Sequence, residues 1–291
     1  MSDSAQIGAS APALRWPRYR VVDVLRWLRN NFTVALSVIT VLVALGFAVA
    51  PSLFASGDPL AVVPTDKLSG PSTVHWFGTD NLGRDVYTRV VHGAGLSLSA
   101  TVTAVGAALV VGSLLGLVAG TLGGVVDAVV MRVVDVLLAI PQMLLALALI
   151  AALGFGTTKV AIAVAVALVA GFTRVMRAEV LRVKNARYVE AALAYGVPLP
   201  VVLFRHLLRN SYTPVLALAA AEFGMAILLI SSLSFLGFGA TPPTPEWGSL
   251  ISEGRNYLGS AWWMTTLPGL VIVGVVLAAH QVGHAVTERN K

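Results

Sequence analysis

The chain has 291 residues, of which 57% are hydrophobic and only 12% are charged. Ordinary soluble domains carry about 25% charged residues, so this composition argues against a soluble fold. The lack of cysteine excludes disulfides, thiolate metal sites and a cysteine nucleophile, and the net charge of +6 does not indicate nucleic-acid binding because the basic residues flank apolar segments.

Six apolar stretches are predicted to cross a membrane as helices. A hydrocarbon core of about 30 Å requires roughly 20 helical residues. The shortest stretch, 160–173, also fits a buried core helix by length alone, but Lys159 can snorkel and residues 153–155 can extend it. The predicted spans are 32–54, 94–126, 136–158, 160–173, 211–237 and 256–287.

Lysine and arginine collect in the tail 1–31 and in the loop after the fourth span, which places both on the cytoplasmic side. An even number of spans then makes both termini cytoplasmic. Residues 18–30 have the spacing of an interfacial helix, and no signal-peptide cleavage site follows the first span, so 32–54 is expected to remain as an anchor. The predicted divisions are the tail 1–31, the first transmembrane helix 32–54, an extracytoplasmic loop 55–93, a core domain 94–287 with five spans, and a cytoplasmic tail 288–291.

The extracytoplasmic loop is rich in proline, glycine, aspartate and threonine. Asp80 is predicted to cap a short helix that begins near Leu82, and Arg84 and Asp85 are predicted to pair with groups in another loop.

Four glycines recur at four-residue spacing in the second span: Gly112, Gly116, Gly120 and Gly124. They predict a groove for close helix packing, either within this chain or against another subunit.

A short polar stretch between the fourth and fifth spans is predicted to form a helix outside the membrane. Glu190 begins this helix, and Gly196 can end it with a positive φ. The small side chains of Ala191 and Ala192 allow a partner to approach one side of the helix closely. Pro198 or Pro200 can begin a second helix. The whole segment 185–209 is predicted to form a surface that a partner protein binds.

The spacing Glu-Ala-Ala, three residues, Gly resembles the cytoplasmic signature of permease subunits of binding-protein-dependent ABC importers. Further blocks, spread between about Trp76 and Pro268, resemble the C-type subunit of the oligopeptide, dipeptide and nickel permease family. These blocks are Gly78-Thr79-Asp80, Gly83-Arg84-Asp85-Val86, Met131-Arg132, Asp135-Val136-Leu137-Leu138, Pro141, Arg205-His206-Leu207-Leu208, Leu233-Ser234-Phe235-Leu236-Gly237 and Pro242-Pro243-Thr244-Pro245-Glu246-Trp247-Gly248.

The resemblance implies an all-α type I ABC importer permease fold in the bacterial cytoplasmic membrane, surrounded by lipid. The implied partners are a second homologous permease, two ATP-hydrolysing subunits and an extracytoplasmic substrate-binding protein. ATP and Mg are expected on the ATPases, because this chain has no phosphate-binding GxxxxGK[ST] loop. The residues expected to contact the ATPases are Tyr188, Glu190, Ala191, Ala192, Tyr195, Gly196, Val197, Arg205 and His206.

Glu222 is the only acid in the fifth span, and an ionisable group at that depth usually faces protein or water. We expect it in the translocation path or in an ion pair with the partner permease. Family members often carry an acid where Ile230 stands and a proline where Arg209 stands. The candidate path residues are Glu222, Met225, Ser231 and Ser232, and the candidate binding-protein contacts are Asp80, Arg84, Asp85, Glu246 and Trp247. For Glu246 and Trp247, a rigid cap over the outer gate is an equal alternative.

No catalytic or metal-binding set emerges from the sequence. His280 and His284 have the spacing of an HExxH zinc motif, but Gln281 replaces the glutamate. The expected function is therefore import of peptides by alternating access, without catalysis by this chain. Nickel, glutathione or another small solute is the alternative cargo, and a self-sufficient secondary transporter is an alternative of a different class.

Overall fold

The computed structural model describes residues 32–184, 186–187, 195, 198 and 209–289. Within these ranges the regular elements are helical, which agrees with the predicted all-α class. The α-helices are Phe32–Val49 (α1), Val86–Leu122 (α2), Gly124–Ala139 (α3), Gln142–Leu153 (α4), Thr157–Lys184 (α5), Arg209–Phe235 (α6), Trp247–Gly254 (α7) and Trp263–Arg289 (α8). The predicted interfacial helix 18–30 and most of the segment 185–209 lie outside the described residues.

Five helices of the described part, α1, α2, α5, α6 and α8, are long and apolar enough to cross a membrane. The consecutive helices α3 and α4 also pass this test together, but they are bent by 98° at their junction. Counted as one broken span, the pair brings the total to the predicted six.

The expectation of one continuous helix over 136–158 is wrong. Helix α3 ends at Ala139, and Ile140 has extended backbone angles, φ −96° and ψ 128°. Proline disfavours helical angles in the residue before it and has no N–H to donate, so Pro141 separates α3 from α4.

Helix α2 begins at Val86, eight residues before the predicted span 94–126, and ends at Leu122. Its N-cap is Asp85, whose side chain accepts a hydrogen bond from the Thr88 N–H at 2.7 Å. The prediction that Asp80 caps a helix near Leu82 is therefore wrong. With 37 residues, α2 is about 55 Å long at 1.5 Å per residue, and so exceeds the hydrocarbon thickness.

The predicted glycine groove exists, and it packs α2 against α5 of the same chain. A Cβ on Gly112 would lie 2.5 Å from Cβ of Phe172, and one on Gly116 would lie 2.5 Å from the Thr173 carbonyl oxygen. A Cβ on Gly120 would lie 2.7 Å from Cγ1 of Val180. Gly124 does not belong to the groove, because α2 has already ended and Gly124 begins α3.

Two apolar clusters hold the helices together. One lies between α2, α4, α5 and α6 and includes the fully buried Phe172. The other joins α1, the beginning of α2, α7 and α8 around Trp247. Helix α5 extends well beyond the predicted 160–173 and contributes much of the first cluster, so it is a full-length span.

Candidate functional site

The predicted coupling segment 185–209 joins the end of α5 to the start of α6. Of its candidate ATPase contacts, the structure describes Tyr195, which lies in a turn with 89% of its surface exposed. That exposure suits a residue available to a partner. The remaining candidates, Tyr188, Glu190, Ala191, Ala192, Gly196, Val197, Arg205 and His206, lie outside the described residues.

The end of α5 that leads into this segment is tied to neighbouring helices by charged groups. Arg177 donates from Nε to Oδ1 and from Nη2 to Oδ2 of Asp127 in α3, both at 2.5 Å. Arg174 Nη2 donates to Asp135 Oδ1 at 2.6 Å. We interpreted these arginines from sequence only as indicators of membrane orientation, and their partners were not predicted.

Lys184, the last residue of α5, donates from Nζ to the Thr121 carbonyl oxygen in the last turn of α2, at 2.8 Å. A cation suits the free carbonyls at a helix C-terminus. The α5 end is thus bonded to both α2 and α3.

The end of the molecule that is predicted to be extracytoplasmic carries a cluster of four charged side chains, of which Asp80, Arg84 and Arg89 are buried and Glu253 is partly buried. Asp80 accepts from the Leu82 and Arg84 backbone N–H groups with Oδ1, and from Arg84 Nε and Arg89 Nη1 with Oδ2. Arg84 also donates to Glu253 at 2.9 Å. The predicted pairing of Arg84 with a group of another loop is therefore confirmed, because Glu253 lies in the connection 238–255 between the fifth and sixth predicted spans, where the chain forms the short helix α7.

Asp85, besides capping α2, lies 2.8 Å from His75 Nδ1. Both residues belong to the loop 55–93, which is predicted to be extracytoplasmic. The pairing predicted for Asp85 thus occurs within its own loop and not with a different one.

Glu246 is buried at the N-cap position of α7 and accepts hydrogen bonds from Ser234 Oγ at 2.5 Å and from the Ala240 N–H at 2.8 Å. Burial raises the pKa of Glu246, and these two hydrogen bonds oppose the rise. The next residue, Trp247, is fully buried and donates from Nε1 to the Val90 carbonyl oxygen.

Four of the five candidate binding-protein contacts are therefore buried and engaged inside the chain: Asp80, Arg84, Glu246 and Trp247. This placement supports the alternative of a rigid outer cap for Glu246 and Trp247. Contact of these residues with a binding protein stays a prediction.

The candidate path residues share part of one helix, α6. Met225 and Ser232 are exposed and lie seven positions apart, which puts them on the same face. Glu222 is half-buried three positions before Met225, and no described residue forms an ion pair with it. Ser231 and Ser232 line an apolar groove with Met143 of α4. Whether this face lines the path stays a prediction.

Among the described residues, no group of three histidine, aspartate or glutamate side chains is placed to hold a metal ion.

The sequence matches the model of a protein family over residues 112–287, described as binding-protein-dependent transport system inner membrane component. It is 37% identical to the dipeptide transport system permease protein DppC of Alkalihalophilus pseudofirmus, over 90% of this chain and 86% of that protein. The probable D,D-dipeptide transport system permease protein DdpC of Escherichia coli is 38% identical over 89% of this chain and 87% of its own length. The glutathione transport system permease protein GsiD of Pectobacterium atrosepticum is 36% identical over 89% and 86%.

Two solved structures share the fold. The inward-facing MetNI methionine ABC transporter superposes with a TM-score of 0.58, at 15% identity, over 70% of this chain and 96% of that chain. An amino acid ABC transporter gives a TM-score of 0.55 at 14% identity, over 70% and 94%. Both support the predicted importer permease fold. Together with the helical spans and the family match, they establish that this chain belongs to the inner membrane components of binding-protein-dependent transport systems, the permease subunits of ABC importers.

Proposed function

We propose that this chain forms half of the translocation path of a peptide importer. It pairs with a second homologous permease, two ATP-hydrolysing subunits and an extracytoplasmic substrate-binding protein. Substrate crosses by alternating access and is not chemically changed by this chain. ATP and Mg are bound by the ATPase subunits.

The observation that carries the peptide assignment is the similarity to DppC over 90% of the chain. A di/tripeptide transport system permease protein of Pseudomonas aeruginosa, 38% identical over 76% of the chain, supports it further.

Glutathione is the second candidate cargo, because GsiD is nearly as similar as DppC. Glutathione is itself a tripeptide, so one path suits both substrates. Nickel or another small solute is the remaining alternative.

The energy for transport enters through the segment between α5 and α6. Shifting a two-state equilibrium from 1:99 to 99:1 requires about 5.5 kcal/mol of differential binding. Docking of this segment on ATPases that change shape with nucleotide is a sufficient source of that energy. The exposed Tyr195 supports an accessible docking surface.

The test is reconstitution of the complete transporter in liposomes with its binding protein. Labelled dipeptides, longer peptides, glutathione and nickel are offered in parallel, and uptake is measured with ATP and with a non-hydrolysable analogue. We expect ATP-dependent uptake of peptides only when the binding protein is present. Uptake by this chain without companion subunits would overturn the proposal. A preference for glutathione or nickel would show that this solute, and not a peptide, is the cargo.

A further inference from the structure

We propose that Arg177 and Asp127 are positioning residues that transmit movement of the coupling segment to α3. The inference rests on the proposed function, since it requires that ATP-driven force enters between α5 and α6. It assigns that force a specific route inside the subunit.

The route begins in α5, a continuous helix of 28 residues that ends at Lys184. The coupling segment starts at the next residue. Force on the segment therefore acts directly on the end of α5, and a continuous helix moves as one body.

A movement of α5 must carry α2 with it. The glycine groove brings the two backbones together, with Gly116 against Thr173 and Gly120 against Val180. Lys184 adds its hydrogen bond to the α2 C-terminus. Close-packed backbone contacts of this kind leave little room for sliding.

Helix α3 is attached differently. It follows α2 through Gly123 and Gly124, which have φ of 66° and 54°, and a Cβ built on either glycine would meet no other atom within 4 Å. Within the described part of the chain, Val134 is the only buried residue of α3. Backbone geometry and apolar packing therefore constrain α3 weakly near its start.

The Arg177–Asp127 pair supplies the missing constraint. Two parallel hydrogen bonds fix the distance and the orientation between α5 and the first turn of α3. The side chains are only 29% and 20% exposed, whereas those of Arg174 and Asp135 are 52% and 58% exposed. Exposed ion pairs contribute little, so the first pair is the effective connection and the second is a natural control.

The experiment uses the complete transporter in liposomes, with uptake and ATP hydrolysis measured in the same sample. Arg177→Lys keeps the charge but loses the two-point geometry, and Asp127→Asn keeps the shape but loses the charge. For both variants we expect the number of solute molecules imported per ATP hydrolysed to fall about tenfold, within the range of typical coupling energies. The double exchange Asp127→Arg with Arg177→Asp should restore most of the ratio, and Asp135→Asn should leave it unchanged.

An unchanged ratio in either assembled single variant would overturn the inference. So would a loss of complex yield or thermal stability without a change in ratio, because a purely structural pair predicts that result. Failure of the double exchange to recover the ratio in an assembled complex would also count against it. If the wild-type complex shows no binding-protein-dependent uptake, the proposed function fails instead, so the two failures are distinguishable.

Discussion

Arg89 and Glu253 are separated by 164 positions in the sequence, yet the Arg89 guanidinium donates to both carboxylate oxygens, at 2.6 and 3.0 Å. Arg89 is 1% exposed and lies in the first turns of α2, while Glu253 lies in α7. The pair therefore fixes the start of the longest helix to the segment between α6 and α8.

Glu253→Gln should destabilise the protein. Among the described residues, removing this carboxylate leaves Arg84 and Arg89 with Asp80 as their one counter-charge, and breaking a buried ion pair from one side costs up to about 3–5 kcal/mol. The measurement is the thermal midpoint of the purified transporter in detergent. Arg255→Gln, at an exposed neighbouring position, is the control and should have no effect. Equal midpoints for both variants would refute this prediction.

Gly116→Ala should separate α2 from α5. The new methyl group would lie 2.5 Å from the Thr173 carbonyl oxygen and 2.8 Å from Met176 Cβ. Overpacking of this kind costs about 1–3 kcal/mol, and it should lower both thermal midpoint and yield. Gly106→Ala in the same helix meets no atom within 4 Å, so it should be neutral or stabilising; a similar loss there would show that close packing is not the reason.

Glu246 makes stability depend on pH. Its pKa is raised by burial, so the folded protein holds this proton to a higher pH than the unfolded chain does. Stability must then fall as pH rises from the usual glutamate pKa through the raised one. Relative to Glu246→Gln, the wild type should lose thermal stability as pH rises above the usual glutamate pKa. Parallel curves for the two proteins would contradict the raised pKa.

Gly196→Val should uncouple transport from ATP hydrolysis. A β-branched residue resists the positive φ that the sequence predicts at this position, so the docking surface should be distorted while the spans remain in the membrane. We expect uptake to fall about tenfold or more, with ATP hydrolysis retained. Membrane abundance of the variant is the control, and normal uptake would argue against the coupling segment.

Glu222→Gln tests the translocation path. Removing a charge from a half-buried position in a span should preserve or improve stability, because desolvating a carboxylate is costly. If Glu222 lines the path, uptake should nevertheless fall. A variant with normal uptake and normal stability would remove Glu222 from the path.

The number of spans could be predicted from sequence because charge-free length suffices for that purpose. Their boundaries could not, because a charge was taken to end a span. Arg89 lies inside α2, where Asp80 and Glu253 neutralise it. Arg177 lies inside α5, where Asp127 neutralises its charge. Such partners are distant in sequence and become visible only when the helices are packed.

Some features of the candidate site could be predicted from sequence and others could not, for a similar reason. The glycine groove follows from a local repeat, so it was found, although its last member belongs to α3. Glu246 and Asp80 were both named as candidate binding-protein contacts, with a rigid cap as the equal alternative for Glu246 and a helix cap as the structural role predicted for Asp80. Glu246 is bonded to Ser234 in the last turn of α6 and to Ala240 in the loop that follows, and the folded course of that loop is not encoded in any short spacing.

The contact of α2 with α5 consists largely of glycine backbone and apolar side chains, which carry no charge for salt to screen. The Debye length shrinks from about 8 Å at physiological salt to about 3 Å at 1 M, which weakens exposed ion pairs but leaves van der Waals contacts unaffected. Concentrated salt should therefore weaken the exposed Arg174–Asp135 pair first and the largely shielded Arg177–Asp127 pair less, while the contact between the glycine-lined helices stays intact.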